Sequence, residues 1–151
     1  MIVYRLTKSK YANTLKSSGT PNRWNRAHEY VIYTSSTVSL CALELLAHTS
    51  GVRPAGSYKM MKIEIDDSVK LFEVLKQQLL ENWNSLAAYH TTQMLGNQWY
   101  VLREYLILKV PSAIIPSEYN FVINTLHPAF GRRVKIKEVD DFFWDRRFPV
   151  S

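Results

Sequence analysis

The sequence predicts an α+β fold in which mixed β-sheets are interrupted by helical insertions. Strand-like stretches recur along the chain, and apolar stretches with helical spacing lie between some of them. The links between strands vary from short connections to helical insertions, whereas a regular doubly wound fold alternates strands and helices throughout. The chain has 151 residues, of which 46% are apolar. These values fit a single domain over residues 1–151 with a substantial core.

The first elements are a strand, a short helix and a second strand. The opening sequence MIVYRL predicts a strand over residues 1–6. The sequence KYANTLKSSG, residues 10–19, predicts a short helix that stops at Gly19. A loop rich in Gly, Pro and Asn follows, and YVIYT at residues 30–34 predicts a strand because β-branched and aromatic residues dominate it.

The next helix is predicted from about Thr37 to Thr49. Ser35 and Ser36 are suitable N-caps, and Gly51 lies just past the predicted end. One apolar face has helical spacing and a second adjoins it: Val38, Cys41, Ala42, Leu45 and Leu46, then Leu40, Leu43 and Ala47. We therefore expect this helix to be buried nearly all round.

The remaining elements continue the mixed pattern. KMMKIEI alternates and predicts a half-buried strand, whereas residues 69–80 fit either a strand or a helix. TTQMLGNQWYVL predicts a helix despite Gly96. Three further strands are predicted in EYLILKV, YNFVIN and RRVKIKEV.

Glu44 is an acidic residue inside the apolar helix. A buried carboxylate without a partner is costly, so it is normally paired or protonated. Three interpretations remain open from the helix alone: a structural ion pair with an arginine, a position at the helix margin, or a functional group.

Positive charge is concentrated at the N-terminal end. The net charge is +6, and residues 1–26 contain six Lys and Arg residues but no Asp or Glu. A localised basic end suggests an anionic partner, which could be nucleic acid, a phosphorylated small molecule or an acidic protein. A solvated surface without a partner is the alternative.

Other features narrow the class of protein. The single cysteine, Cys41, excludes an internal disulfide, and its apolar neighbours predict a buried core thiol in a reducing, cytoplasmic setting. We see no signal peptide and no apolar run of membrane-spanning length. The histidines lack metal-ligand spacing, and the glycine-rich phosphate-binding motifs and the serine-hydrolase motif are absent from the sequence. The tryptophans do not interleave with basic residues as in an RNA-binding sheet.

Several motifs occur together in a specific order. They are YR at residues 4–5, RWN, VIYTSS, ALELLAH, TQMLGNQW, VPSAIIPSEYNFVIN and HPAF, followed by a tail that ends FFWDRRF. In this order and spacing the chain resembles the RES-domain family, the toxins of bacterial RES–Xre toxin–antitoxin pairs. The resemblance extends from Tyr4 to Phe148.

The resemblance implies an ADP-ribosyltransferase-like fold and an enzyme that depletes NAD. By motif, the catalytic residues would be Arg23, Tyr33, Glu44 and Ser112. The residues that bind NAD would be Arg5, Trp24, Asn25, Ser35 and Asn120. It implies no metal and no cofactor, since NAD is the substrate and inorganic phosphate a possible co-substrate. Ser35 and Ser117 are alternatives to Ser112 as the functional serine.

Two departures from the family pattern lie in the loop around Arg23. The family usually has glycine before RWN, where this chain has Asn22, and glycine a few residues later, where this chain has RAHE. Asparagine tolerates positive φ better than most residues, so we expect Asn22 to make the turn.

The chemistry of NAD gives the implied residues roles. Cleavage of the nicotinamide–ribose bond releases a neutral base, so the barrier lies in the positive charge that develops on the ribose. A carboxylate near that carbon, Glu44, would stabilise the charge, while Arg5 and Arg23 would hold the diphosphate. The acceptor is open: water, inorganic phosphate or a protein side chain. A protein ADP-ribosyltransferase and a non-enzymatic, basic nucleic-acid-binding module are the alternative functions.

The resemblance also implies partners. We expect an Xre-type antitoxin with a helix-turn-helix domain and a homodimer within a larger complex. We expect neither membrane association nor direct nucleic-acid binding by this chain.

Overall fold

Seven strands form one mixed sheet in the computed structural model of the protein, which describes residues 1–150. The strands are β1 (Ile2–Lys8), β2 (Val31–Ser35), β3 (Tyr58–Ile65), β4 (Leu71–Glu73), β5 (Ile107–Pro111), β6 (Tyr119–Asn124) and β7 (Val134–Phe142). Their order across the sheet is β4-β5-β6-β2-β1-β3-β7. Only β4 and β5 pair in parallel, and the other neighbours are antiparallel. The sheet is therefore mixed, as predicted.

Three helices interrupt the strands: α1 (Val38–His48), α2 (Tyr89–Leu102) and α3 (Phe130–Arg133). Helix α1 begins one residue later than predicted, because Thr37 is the N-cap. Its hydroxyl accepts a hydrogen bond from the backbone amide of Leu40 at 3.1 Å. The ambiguous residues 69–80 contain β4 and a short 3-10 turn at Lys76–Gln78. None of the helices in residues 1–150 has the length and hydrophobicity needed to span a membrane.

The helix predicted over residues 10–19 is wrong. Only Ser9–Tyr11 forms a single 3-10 turn, and the chain then runs irregularly. Ala12 is fully buried in the core and Leu15 packs against it, so this segment is held by its contacts with the sheet. Its Asn, Thr and Ser side chains favour turns over helices, so they are compatible with an irregular backbone here.

Alternate residues of the central strands fill two separate cores. Ile32, Ile107 and Ile123 belong to one core, and their neighbours in sequence Val31, Leu108 and Val122 belong to the other, as the two-residue period of a strand requires. Aromatic residues from α2 and the loops before it complete the second core: Trp24, Trp83, Trp99 and Tyr100. The second core therefore fixes α2 and the loop around Trp24 to the sheet.

The contact between β1 and β2 is a weak seam in the sheet. These strands share one residue pair, Tyr4 with Ser35. Helix α1 packs against both strands there. The sulfur of Cys41 accepts the amide of Leu6 at 3.1 Å, which supplies that amide with a partner.

Helix α1 is buried on one side only. Leu40, Cys41 and Leu46 are buried, whereas Val38 and Leu43 are exposed. The expectation of burial nearly all round is wrong, because the seam covers a single face of the helix. The prediction that Cys41 is a buried thiol is confirmed, and burial raises its pKa to about 11.

Candidate active site

Glu44 lies on α1 and faces a cleft between the helix and the strands β2 and β6. Its Oε1 atom accepts two hydrogen bonds, from the Ser112 hydroxyl at 2.8 Å and from the Asn120 side-chain amide. The side chain is half-buried, and within residues 1–150 no arginine or lysine nitrogen lies within 4.0 Å of its carboxylate. The interpretation of Glu44 as a structural ion pair is therefore wrong. Two neutral donors hold this carboxylate at the wall of a cleft.

Ser112 follows β5 and supports Glu44 from inside the protein. The residue has no exposed surface, and its hydroxyl oxygen accepts the amides of Ile114 at 3.1 Å and Ile115 at 3.0 Å. Since the hydroxyl proton goes to Glu44, the donor and acceptor capacity of this side chain is used. Its position suits orienting Glu44 and leaves no surface for direct contact with a ligand.

The other two candidate serines differ in their surroundings. Ser35 lies at the end of β2, is buried, and its hydroxyl is 2.7 Å from the side-chain oxygen of Asn120. Ser117 is exposed and lies outside the residues that line the cleft. The structure thus joins Ser112 to Glu44 directly and Ser35 to Glu44 through Asn120.

Tyr33 lies on β2 and contributes its ring to the cleft. Its hydroxyl donates to the Asn25 side-chain oxygen at 2.9 Å and accepts the amide of Trp24 at 3.0 Å. Burial raises the pKa of this hydroxyl above its ordinary value. The hydroxyl therefore holds the neighbouring loop, while the half-buried ring remains available to a ligand.

The loop before β2 is fixed by buried polar groups. The two hydrogens of the Asn25 amide are shared among the carbonyls of Thr20, Arg26 and Glu29, and the residue is only 1% exposed. Trp24 lines the cleft but is 3% exposed and packs against Trp83. Both residues were predicted to bind NAD. Asn25 instead holds the loop in place, and Trp24 offers little surface to a ligand.

The turn in this loop differs from the sequence prediction. Besides Gly19, the residue of this loop with positive φ is His28, at 66°, within the RAHE stretch. Asn22 acts through its side chain, whose oxygen accepts the amide of Arg23 at 2.8 Å. The expectation that Asn22 makes the turn by positive φ is wrong. Histidine is among the residues that enter the left-handed region more often than most.

Arg23 ties two loops together at one end of the cleft. Its guanidinium donates to the carbonyls of Trp83 at 2.9 Å, Asn84 at 2.9 Å and Ser85 at 3.1 Å. It also lies over the ring of Tyr89, 4.6 Å from the centroid. Since a guanidinium has five N–H groups, two donors remain after these three bonds.

Arg5 lies on β1 at the other end of the cleft. Its guanidinium donates to the carbonyl of Lys16 at 3.2 Å, and within residues 1–150 no carboxylate lies within 4.0 Å of it. Burial lowers its pKa, which marks partial loss of solvent around this cation. An arginine in that setting has unused donors to offer an anion.

The cleft has two lobes that meet at Glu44. The Arg23 lobe has a volume of about 200 Å³, and its further walls are largely apolar: Trp24, Leu86, Tyr89, Pro111, Ala113 and Ile114. The Arg5 lobe has a volume of about 290 Å³ and includes hydroxyl groups from Ser17, Ser18 and Thr20. Five residues line both lobes: Asn22, Tyr33, Glu44, His48 and Asn120. The cleft can therefore hold an elongated ligand with an apolar end and an anionic end.

His48 is a cleft residue that the sequence analysis did not select. It lies one turn after Glu44 on α1 and lines both lobes. The four-residue spacing places the two side chains on the same face of the helix. That spacing was visible in ALELLAH and could have identified the residue.

The chain is similar to known toxins over nearly its whole length. The chain is 32% identical over 151 residues to Toxin Res of Yersinia enterocolitica, covering 97% of this chain and 99% of that protein. It is 29% identical to Toxin Res of Photorhabdus laumondii, covering 97% and 96%. It is 30% identical over 142 residues to the Prs ADP-ribosylating toxin of a Sphingobium species, covering 90% and 87%.

One solved structure shares the fold. A chain of the Mycobacterium tuberculosis MbcT–MbcA toxin–antitoxin complex superposes with a TM-score of 0.74 at 18% identity, covering 93% of this chain and 83% of that chain. The prediction of an α+β, ADP-ribosyltransferase-like fold is confirmed. Residues 2–145 match the RES domain. The chain therefore belongs to the RES-domain family, as its motifs predicted.

Proposed function

We propose that this protein is the toxin of a toxin–antitoxin pair and that it depletes NAD by cleaving the nicotinamide–ribose bond. The observation that carries the proposal is the Glu44 carboxylate, which neutral donors hold at the junction of the two lobes. No cation neutralises it within the described chain, so its charge is available to a cationic centre in the cleft. The relatives named Toxin Res support the toxin role.

The two lobes suit the two ends of the nicotinamide half of NAD. The aromatic and apolar walls of the Arg23 lobe suit the flat nicotinamide ring, which can stack on Tyr33. The Arg5 lobe combines a cation with hydroxyl donors, which suit the diphosphate. Arg23, expected to hold the diphosphate together with Arg5, instead lines the lobe proposed for nicotinamide. The ribose links the base to the diphosphate, and its carbon bonded to nicotinamide then lies beside Glu44.

Bond cleavage in this arrangement needs no general acid. The electron pair of the C–N bond leaves with nicotinamide, which becomes neutral, and the ribose carbon becomes electron-deficient. Glu44 stabilises this positive charge until an acceptor oxygen forms the new bond. Water would yield ADP-ribose and a proton, and inorganic phosphate would yield a phosphorylated ADP-ribose.

A protein acceptor is the second candidate. One relative is named as an ADP-ribosylating toxin, and transfer to a protein would use the same carboxylate and the same cleft. The difference lies only in what approaches the ribose carbon. NAD cleavage with water or phosphate remains the first proposal, because it needs nothing beyond the residues of the cleft.

The partners proposed are an Xre-type antitoxin with a helix-turn-helix domain and a second copy of this chain in a larger complex. The structurally similar chain comes from the MbcT–MbcA toxin–antitoxin complex, which supports an antitoxin partner. We propose that the toxin and its antitoxin act in the cytoplasm, where the toxin would meet its substrate NAD.

The test is incubation of purified protein with NAD, with and without inorganic phosphate, followed by identification of the products by mass spectrometry. We expect nicotinamide with ADP-ribose or with its phosphorylated form, and release on the order of 10²–10³-fold slower from the Glu44→Gln variant. A labelled NAD analogue incubated with cell extract tests transfer to protein. Salt-dependent gel shifts test the nucleic-acid-binding alternative. Absence of nicotinamide release under all conditions would refute the proposal.

A further inference from the structure

Glu44 is held by one oxygen atom only. The bonds from Ser112 and Asn120 both end on Oε1, and no hydrogen bond to Oε2 comes from residues 1–150. We propose that Ser35 is a positioning residue that fixes Glu44 through Asn120, so that Oε1 is anchored and Oε2 faces the cleft. The inference deepens the proposed function and rests on it where it assigns the target of Oε2, the ribose of NAD.

The strand register places Ser35 next to Asn120. These residues are direct partners on β2 and β6, although 85 positions separate them in the sequence. The Ser35 hydroxyl lies 2.7 Å from the Asn120 side-chain oxygen. The amide nitrogen at the other side of the same group donates to Glu44. Ser35, Asn120 and Glu44 therefore form a continuous chain of side-chain hydrogen bonds.

Only one orientation of the Asn120 amide satisfies both neighbours. If the amide were turned over, its oxygen would oppose the Glu44 carboxylate, and two acceptors would face each other. Since the carboxylate can only accept, it sets the amide nitrogen towards Glu44, and the Ser35 hydroxyl stabilises that orientation by donating to the amide oxygen. Ser35 supplies this proton from a position that is 4% exposed, so bulk water does not easily replace it.

Ser112 provides the second anchor on the same oxygen. Since its hydroxyl is fully committed and the residue has no exposed surface, it cannot move towards Oε2 without losing three hydrogen bonds. Two anchors on one oxygen restrict rotation of the carboxylate. A preorganised charge of this kind acts on the transition state without rearrangement at the moment of reaction.

The competing role for Ser35 is direct contact with NAD, because Ser35 also lines the Arg5 lobe. The two roles predict different kinetics. A residue that binds NAD raises KM when it is removed, whereas a residue that positions Glu44 lowers kcat and leaves KM unchanged. Removal of Ser35 should also add nothing once Asn120 is gone.

The first test is a double-mutant cycle of Ser35→Ala and Asn120→Ala measured by NAD turnover. We expect kcat to fall on the order of tenfold in each variant, because each removes one hydrogen bond from the chain that ends on Glu44. The double variant should fall no further than Asn120→Ala. Ser35→Thr retains a hydroxyl and should recover most of kcat, and Ser36→Ala serves as the matched control. Independent losses that multiply, or a raised KM in Ser35→Ala, would overturn the inference.

The second test does not require activity. Hydrogen exchange of the Asn120 side-chain amide is followed by NMR in the folded protein without NAD. We expect exchange to accelerate severalfold in Ser35→Ala but not in Ser36→Ala, since the amide then loses its orienting partner. Unchanged exchange would refute the link between Ser35 and Asn120. If the wild-type protein does not cleave NAD, the proposed function fails and this measurement alone decides the positioning role.

Discussion

Gly96 on α2 is the position where the smallest substitution should have a large effect. A methyl group added there would lie 1.8 Å from the carbonyl oxygen of Trp24 and 2.6 Å from its carbonyl carbon. A carbon and a carbonyl oxygen ordinarily approach to about 3.3 Å, so the backbones of α2 and the loop must separate by roughly 1.5 Å. Gly96→Ala therefore tests whether the helix and the loop are in direct contact.

The loop cannot yield easily at this point. The Trp24 amide bonds the Tyr33 hydroxyl, and the Trp24 side chain is buried beside Trp83. Because the clashing atoms belong to the backbone, the cost of overpacking should lie at the upper end of its usual range, at about 3 kcal/mol, and the higher helix propensity of alanine offsets about 1 kcal/mol. We expect a net loss of about 2 kcal/mol, which lowers Tm by roughly 4–8 °C in a domain of this size.

Thermal and urea denaturation of the purified variant measure this loss. Gly131→Ala is the matched control, because nothing lies within 4 Å of a methyl group at that position in α3, and its stability should hold or rise by up to about 1 kcal/mol through the helix propensity of alanine. NAD turnover of Gly96→Ala should fall as well, since Tyr33 and Arg23 depend on the same loop. A Gly96→Ala protein as stable and as active as wild type would show that the close approach is absent in solution.

Three further substitutions and treatments test the site. Glu44→Gln should reduce kcat on the order of 10²–10³-fold while Tm and NAD affinity change little, because the glutamine oxygen can still accept from Ser112 and Asn120; a folded variant with wild-type turnover would end the catalytic role. Arg23→Lys should lower NAD turnover, and it should lower stability by about 1–3 kcal/mol, because lysine cannot reproduce three hydrogen bonds to three carbonyls. Arg26→Ala is the exposed control, and equal effects at both positions would indicate that the positive charge of the region matters and not the contacts of Arg23. The Cys41 thiol, with a pKa of about 11, should resist alkylation at pH 8 until the protein is unfolded. Rapid alkylation of the folded protein would contradict the raised pKa. Because the pKa of the Cys41 thiol is higher in the folded than in the unfolded protein, its contribution to stability is complete below about pH 9 and declines as pH rises towards 11.

The strands and α1 could be predicted from the sequence because their signals are local. Alternation in KMMKIEI indicates a half-buried strand and identifies β3, whereas the continuous β-branched and aromatic run YVIYT identifies β2, which is buried on both faces. The segment from Lys10 to Gly19 was mistaken for a helix, because its path is decided by Ala12 and Leu15 in the core. Local propensity cannot report a contact of that kind.

The candidate site was predictable in part. Motif order indicated Glu44, Tyr33 and Ser112, and the structure brings them to one cleft or directly behind its wall. The roles of Asn25 and Arg23 were not predictable, because their partners are backbone carbonyls whose positions exist only in the folded chain. The link from Ser35 to Glu44 likewise depends on the register of two strands distant in sequence.

The seam between β1 and β2 affects how the protein would respond to a ligand. Arg5 lies on one side of the seam, and Tyr33 and Asn120 lie on the other, on strands that pair with each other. A molecule that reaches from Arg5 to Asn120 would therefore connect two halves of the sheet that the backbone joins through one residue pair. A bound ligand would then connect β1 to β2 and β6 across the seam. Cleavage of a bound substrate would break this connection in every turnover.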